Sequence, residues 1–252
     1  MRESKLAALV TNASDFAGPP AVDALIAAGF RVMVYDPALQ DHAARERFLP
    51  RWDSVEFIEA LGPVEAVTQA FARAGRIEAI VSNDHFPAIQ KPTEEADPED
   101  LRRTLDVLVM APFLTIRAAI PHLKAQGGGN IVMITSCRTK LPIPGGAIPD
   151  AARAATNALM HSWAIELAPF EIAVNAVAPN FLYSEAYYPR ATFIESEKGR
   201  EFVKQSVPAG RLGKPEEIGE VIRFLAATKA RFLTGAMIDF SGGWPAAPVR
   251  PA

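Results

Sequence analysis

The sequence contains very little cysteine and histidine. Its single cysteine, Cys137, excludes an internal disulfide and any metal cluster built on cysteine ligands. The four histidines are scattered and never stand at an H-x-x-x-H spacing; they are His42, His85, His122 and His161. Because a metal site needs several such ligands brought together, the sequence predicts no metal site.

Two further absences limit where the protein works and what it binds. No apolar run approaches the roughly 18 residues of a membrane-spanning helix, and the strand-like run that begins at residue 6 comes too early for a signal peptide. The net charge of −3 is spread along the chain, whereas nucleic-acid binding needs a clustered basic face. The sequence therefore predicts a soluble, cytoplasmic protein with no nucleic-acid or membrane partner.

What the sequence does contain is a regular alternation of apolar runs and amphipathic segments. The apolar runs lack the in–out alternation of a half-exposed sheet and predict buried parallel strands; they are 6–11, 31–35, 77–82, 130–135, 172–178 and 236–240. Helical patterns lie at 19–29, 63–74, 98–125, 150–168 and 215–227. This order predicts one Rossmann-like α/β domain over residues 1–252, with a doubly wound parallel sheet in a three-layer α/β/α arrangement.

In such a sheet, ligands bind where the strands end. The loops that follow the carboxyl ends of the strands are expected to form the site; they are 12–18, 83–90, 136–149 and 179–193. The last loop is long and aromatic and contains Pro189, so it predicts a substrate lid, the alternative being an ordinary surface loop.

Four segments carry a resemblance that covers nearly the whole chain. They are "GRIEAIVSND" (75–84), "NIVMITS" (130–136), "AARAATNALMHSWAIELAPFEIAVNAVAP" (151–179) and "GRLGKPEEIGEVIRFLAATKARFLTGAMIDFSGGW" (210–244). In content and in order they resemble the short-chain dehydrogenase/reductase superfamily. The resemblance implies the same doubly wound fold.

The first loop departs from that superfamily. Its dehydrogenases carry T-G-x-x-x-G-x-G, and the three glycine positions are here Asn12, Phe16 and Gly18. A side chain at the first two positions obstructs the approach of a pyrophosphate to the backbone. The Pro19–Pro20 pair removes amide donors from the following helix start. Although Asp36 stands where a ribose-binding acid would, the loop predicts no nicotinamide cofactor.

A short-chain dehydrogenase frame with an aromatic residue in this loop resembles the halohydrin dehalogenases. "VTNASDFAG" (10–18), "SNDHF" (82–86) and "APNFLYSEAYYP" (178–189) agree, as does Arg153 where dehydrogenases carry lysine. The resemblance implies a cofactor-free lyase that converts a vicinal haloalcohol into an epoxide and halide. It also implies the reverse opening of epoxides by small anions, and assembly into homodimers or homotetramers.

The same resemblance assigns roles to individual residues. It implies that Ser136 binds the hydroxyl oxygen of the substrate and that Arg153 lowers the pKa of a neighbouring tyrosine base. The residues that it assigns to the substrate and halide pocket are Phe16, Pro179, Asn180, Phe181, Leu182, Tyr187 and Tyr188.

The position of the expected tyrosine base is occupied by Pro149. This position lies four residues before Arg153, and none of the four tyrosines falls between 136 and 153. Proline suits a helix start but cannot accept a proton. Three explanations stay open: a base supplied from elsewhere, a reaction that needs no phenol, or a non-catalytic relative. The candidate replacement bases are Asp150, His85, Tyr187 and Tyr188.

The function is therefore expected to be a halohydrin dehalogenase-type lyase, impaired if no base replaces the tyrosine. The alternatives are a non-catalytic binding subunit and, less favoured, an NAD(P)-dependent oxidoreductase. The helices predicted at 98–125 and 150–168 carry more apolar surface than one sheet face needs, which predicts a subunit contact through them.

Overall fold

A computed structural model describes residues 6–247, and its strands form one parallel sheet in the order β3–β2–β1–β4–β5–β6–β7. The strands are β1 (Ala7–Thr11), β2 (Arg31–Tyr35), β3 (Glu56–Phe57), β4 (Ala79–Ser82), β5 (Gly129–Ile134), β6 (Ile172–Pro179) and β7 (Met237–Phe240). The strand order reverses direction between β1 and β4, which is the place where such sheets bind ligands.

Helices cover both faces of the sheet. They are α1 (Gly18–Ala27), α2 (His42–Phe48), α3 (Pro63–Ala74), α4 (Pro98–Leu105), α5 (Ala111–Ala125), α6 (Ala147–Leu167), α7 (Glu197–Ser206) and α8 (Pro215–Ala227). Along β1, Leu9 packs with α3, α5 and α6, whereas Ala8 and Val10 pack with α1 and α8. Alternate side chains of this buried strand thus pack into two hydrophobic cores, one on each face of the sheet. The predicted Rossmann-like, three-layer fold is confirmed.

Three elements were not predicted. Helix α2 buries none of its residues, β3 is two residues long, and α7 buries only Gly199 and Val203. Each therefore carries too little apolar periodicity to be recognised from sequence. The structure also starts α6 at Ala147 instead of 150, so that Pro149 lies within the first turn of this helix. Residues 1–5 and 248–252 of the predicted domain lie outside the described part.

Helices α4 and α5 are joined by a π-helical turn over residues 106–110. Within this turn, the carbonyl of Leu108 lacks its usual helical donor, because Pro112, four residues after Leu108, has no N–H. The hydroxyl of Thr156 in α6 donates to that carbonyl at 2.8 Å instead. The long helix is thereby attached to α6, and both elements reach the site described below.

The combined helix Pro98–Ala125 corrects one sequence prediction. By length and composition alone it could cross a membrane, with a mean hydropathy of 1.5 in its most apolar window and 33% of that window buried. The expectation that no stretch approaches such a length was wrong for this segment. Helix α5 packs against α3, with Ile116, Ala119 and Leu123 fully buried.

Candidate active site

The carboxyl ends of β1, β4, β5 and β6 open into a cavity of about 730 Å³. All four predicted loops contribute to its wall, and α6, α7 and Trp244 complete it. Helix α7, which follows the predicted lid 179–193 and which the sequence pattern did not show, brings Phe202 and Ser206 to the cavity.

The loop after β1 keeps the backbone of a glycine loop while carrying side chains. Asn12 and Phe16 have φ values of 48° and 56°, in the left-handed region that glycine usually occupies. The Phe16 ring meets the ring of Tyr187 edge-on, with 4.9 Å between centroids. Glycine is retained at Gly18 because a Cβ there would lie 2.7 Å from backbone atoms of Ala13.

The polar groups of this loop are already bonded within the protein. Ser14 donates its N–H to the buried Asp36 carboxylate at 2.8 Å, and Asp36 also caps the turn that follows β2. Gly18 donates to the Asp15 carbonyl at 3.0 Å, and the Pro19–Pro20 pair has no N–H to offer. These residues do not fit a dinucleotide, because Phe16 fills a glycine position of the loop and the Asp36 carboxylate already accepts two backbone N–H groups.

Arg153 ties together the loops that meet at the cavity. This buried side chain rises from α6 and donates from Nη1 to the carbonyls of Asp84 at 3.0 Å and Ile134 at 3.3 Å. Its Nη2 donates to the hydroxyl of Tyr187 at 3.4 Å. The guanidinium therefore has acceptors after β4, at the end of β5 and in the lid.

Ser136 lies in the same wall, immediately after β5. Its hydroxyl donates to the Pro179 carbonyl at 3.3 Å and accepts the N–H of Arg138 at 3.1 Å. Pro149 is buried and lines the cavity together with Ser136 and Arg153. The structure thus brings the three residues together, with a proline ring at the place expected for a phenol.

Three of the four candidate replacement bases are engaged elsewhere. The Asp150 carboxylate lies 3.0 Å from Nε of Arg138. The imidazole of His85 lies beside Phe16, with Nε2 3.8 Å from the Asp15 carboxylate. Burial raises the pKa of Tyr188 to about 12, which makes it a poor base near neutral pH.

Tyr187 is the candidate that meets Arg153. Its hydroxyl donates to the Phe86 carbonyl at 2.7 Å and accepts both the Phe86 N–H at 3.1 Å and Nη2 of Arg153 at 3.4 Å. Two preorganised N–H donors, one of them charged, therefore converge on this oxygen. Such donors stabilise negative charge that develops on the oxygen to which they point.

Asp84 lies behind Arg153 and is completely buried. It accepts hydrogen bonds from the Ser82 hydroxyl at 2.6 Å and from the Asn12 amide at 3.1 Å. Burial raises the pKa of its carboxyl to about 6, although these hydrogen bonds and the charge of Arg153 act in the opposite direction. A carboxyl with a raised pKa therefore lies in the same residue whose carbonyl accepts from Arg153.

The loop predicted to hold halide has few free donors. The Asn180 N–H donates to the Phe240 carbonyl at 3.0 Å, and the Phe181 N–H donates to the Asn180 side chain at 3.1 Å. Within residues 6–247, the N–H of Leu182 has no acceptor. An anion in this loop would therefore rely on Leu182 and on the edges of aromatic rings.

Sequence reasoning did not single out three residues that the structure places here. Asp84 and Phe86 lie in the quoted "SNDHF" segment, and Arg138 follows Ser136 by two residues. Position at a strand end was an available signal for each of them. Their contacts could not be read from sequence, since Arg138 reaches Asp150 across the loop and Phe86 bonds to Tyr187, 101 residues away.

The fold and this site define a short-chain dehydrogenase/reductase-type protein, and comparison with known proteins agrees. A family model described as enoyl-(acyl carrier protein) reductase matches residues 62–245. The chain belongs to the short-chain dehydrogenase/reductase superfamily. An uncharacterized oxidoreductase of Methylorubrum extorquens is 36% identical over 242 residues, which is 94% of this chain and 87% of the relative.

Two solved structures extend the comparison. One, described as a dehalogenation enzyme, is 34% identical, with a TM-score of 0.90 over 97% of this chain and 100% of the other. The second is a halohydrin dehalogenase bound to ethyl (2S)-oxiran-2-ylacetate; it is 29% identical, with a TM-score of 0.93 over 98% and 100% of the two chains. The chain is thus similar both to oxidoreductases and to dehalogenation enzymes.

Proposed function

We propose that the protein is a cofactor-independent lyase that interconverts vicinal haloalcohols and epoxides, with Tyr187 in place of the missing tyrosine base. The contact of Phe16 and Arg153 with Tyr187 carries this proposal. Phe16 occupies a glycine position of the cofactor loop, and the same tyrosine presents its hydroxyl to a guanidinium. The likeness to the two dehalogenation structures supports the assignment.

The proposed reaction is an intramolecular displacement. The substrate hydroxyl binds at Ser136. Tyr187 loses its phenol proton to solvent, and the phenolate, which Arg153 and the Phe86 N–H stabilise, then takes the proton of the substrate hydroxyl. The alkoxide oxygen forms a bond to the neighbouring carbon while the carbon–halogen bond breaks, and the halide leaves with the electron pair. Epoxide, halide and a proton are the products.

The departing halide would be received by the loop after β6. One N–H in this loop without an acceptor in the described chain is that of Leu182, and Phe16 and Tyr187 supply ring edges in the same cavity. Because a single amide binds an anion weakly, we expect halide affinity to be low. In this proposal Tyr187 therefore acts twice: its hydroxyl oxygen, next to Arg153, takes the proton, and its ring lines the place of the halide.

An oxidoreductase function has the sequence comparisons in its favour, namely the reductase family model and the oxidoreductase relative named above. It would require a nicotinamide to bind where Phe16 packs and where Gly18 and Asp36 are already bonded. The loop geometry therefore favours the lyase.

The proposal is tested by halide release from a bromo-alcohol. We expect slow turnover by the protein itself, and a loss of about 10²-fold or more in both Ser136→Ala and Tyr187→Phe, the scale of one acid–base or oxyanion-binding group. The matched control is Tyr183→Phe, because the Tyr183 hydroxyl bonds only to the exposed Glu185 in the described chain. Absence of halide release would favour a binding subunit, and substrate-dependent oxidation of NADPH would favour the oxidoreductase.

We also propose that the protein assembles into a dimer or tetramer through α4–α5 and α6. Leu101 and Met110 on the first surface are 37% and 46% exposed, and Ile165 on α6 is 80% exposed. Exposed apolar side chains on neighbouring helices are typical of subunit contacts. Light scattering is expected to give a mass of two or four chains, and a monomer at micromolar concentration would contradict the proposal.

A further inference from the structure

The cavity wall contains a second guanidinium, which the proposed reaction does not use. Arg138 begins the short 3₁₀ turn Arg138–Lys140, and its backbone N–H is held by the Ser136 hydroxyl at 3.1 Å. Its side chain is only 19% exposed. Arg138, Asp150 and Arg153 are the charged side chains in the described wall of the cavity.

The donors of Arg138 are incompletely satisfied. Asp150 lies 3.0 Å from Nε, but the two groups are not aligned as a hydrogen bond. Asp150 thus forms an ion pair with Nε, whereas Nη2 is shielded from solvent without a hydrogen-bond partner and Nη1 makes no hydrogen bond among residues 6–247. A guanidinium stays charged and carries five N–H donors, so buried donors without acceptors are unfavourable.

Arg153 is an arginine in this wall whose terminal nitrogens are both hydrogen-bonded. Its two terminal nitrogens donate to three acceptors, namely two carbonyls and the Tyr187 hydroxyl. Asp150 contacts Arg138 at Nε, and the terminal nitrogens of Arg138 have no hydrogen bond among the described residues. Because Arg138 lines the cavity and its Nη1 is not one of the solvent-shielded nitrogens, Nη1 can donate to a ligand there.

The geometry of a guanidinium selects the ligand. Its planar fork matches the two oxygens of a carboxylate, whereas a spherical halide makes no use of the fork. We propose that Arg138 is a recognition site for a carboxylate group carried by the substrate, an inference that rests on the proposed function. The substrate is then a haloalcohol or epoxide with a carboxylate arm, its oxygen at Ser136 and its arm at Arg138.

A matched pair of epoxides tests the inference by turnover. Oxiran-2-ylacetate and its ethyl ester are opened with bromide, and kcat/KM is measured for each. We expect the protein to prefer the acid, and Arg138→Gln to lower the acid-to-ester ratio about 10- to 100-fold, the scale of a charged hydrogen-bonded pair. Arg138→Lys keeps the charge without the fork and should recover part of the ratio.

The control for this measurement is Lys140→Gln. Lys140 lies two residues on, pairs with Asp239 and is half-exposed. Its removal lowers the positive charge of the same turn and is expected to leave the ratio within twofold. An equal loss in Lys140→Gln would show that general charge attraction, and not the Arg138 site, selects the acid.

A binding measurement separates this inference from the proposed function. Calorimetric titration with 3-hydroxybutanoate, which has no leaving group, needs no turnover. Binding that Arg138→Gln weakens tenfold or more supports the carboxylate site even if the protein releases no halide. In Arg138→Gln, Asp150 loses its partner and its unpaired charge could destabilise the fold. The double variant Arg138→Gln/Asp150→Asn removes both charges and serves as the test in that case. An unchanged ratio, or binding that Arg138→Gln does not weaken, would overturn the inference.

Discussion

The loops after β1 and β5 end at the same edge of the sheet but differ in which of their polar groups are bonded. After β1, the N–H groups of Asn12, Ser14, Phe16 and Gly18 all have acceptors within the protein. After β5, the hydroxyl of Thr135 and two nitrogens of Arg138 are buried without partners in the described chain.

This difference shows which of the two regions is prepared for a ligand. Buried polar groups in native proteins are nearly always bonded, so those that are not mark places where a ligand or water is expected. The loop that usually receives a dinucleotide is closed by its own contacts. The neighbouring loop, which carries Ser136 and faces Arg153, still has donors and acceptors to offer.

Restoring the missing phenol should give the largest effect. Pro149→Tyr places a hydroxyl one helical turn before Arg153, and we expect epoxide formation to rise about 10²- to 10⁴-fold, the usual contribution of a positioned general base. Pro149→Phe supplies the ring without the hydroxyl and should not raise the rate. Halide release from a bromo-alcohol measures both. An unchanged rate in Pro149→Tyr would show that position 149 does not face the substrate oxygen.

Removing the Phe16 side chain from the loop after β1 should have a smaller effect, which we expect to see in the free energy of unfolding. Phe16→Gly relieves a left-handed φ of 56° but removes a buried ring from its contact with Tyr187. Loss of a buried phenylalanine outweighs the relief, so we expect a loss of about 2–3 kcal/mol in the free energy of unfolding, measured in urea.

The same variant tests the comparison of the two loops. Calorimetry with NAD⁺ and NADP⁺ should show no submillimolar binding to Phe16→Gly, because Gly18 remains bonded to Asp15 and the prolines remain. Restored cofactor binding would show that Phe16 alone closes the site.

The fold could be predicted from sequence because its central strands are buried on both faces. Runs such as 31–35 and 130–135 are apolar without alternation, and the structure places a strand within or across each of the predicted runs. The elements that were missed lie at the edges of the molecule. Helix α2 and strand β3 bury so little that no apolar pattern marks them in the sequence.

The site could be predicted only in part. That Ser136, Pro149 and Arg153 line one cavity could be predicted, because they lie at one strand end and in the first two turns of one helix; their roles stay a prediction. Which tyrosine meets Arg153 depends on how the lid folds back over the loop after β4, and this is a contact between residues far apart in sequence. The unbonded state of Arg138 likewise depends on the angle at which Asp150 is presented.

The smallest predicted effect concerns Asp84, which accepts hydrogen bonds from Asn12 in the loop after β1 and from Arg153, the arginine that faces the loop after β5. The folded state raises its pKa from 3.8 to about 6, so the folded protein binds more protons than the unfolded chain between these values. Stability contributed by this carboxyl therefore falls as the pH rises through that window. Between pH 4.5 and 7.5 the loss amounts to about 2 kcal/mol, from 1.36 kcal/mol per pKa unit.

Asp84→Asn cannot titrate, so the difference in unfolding free energy between the variant and the protein should shift in favour of the variant by that amount. Urea unfolding at the two pH values measures the shift. A difference that does not change with pH would show that the Ser82 and Asn12 hydrogen bonds keep Asp84 charged throughout, and would place it with the saturated groups of the closed loop.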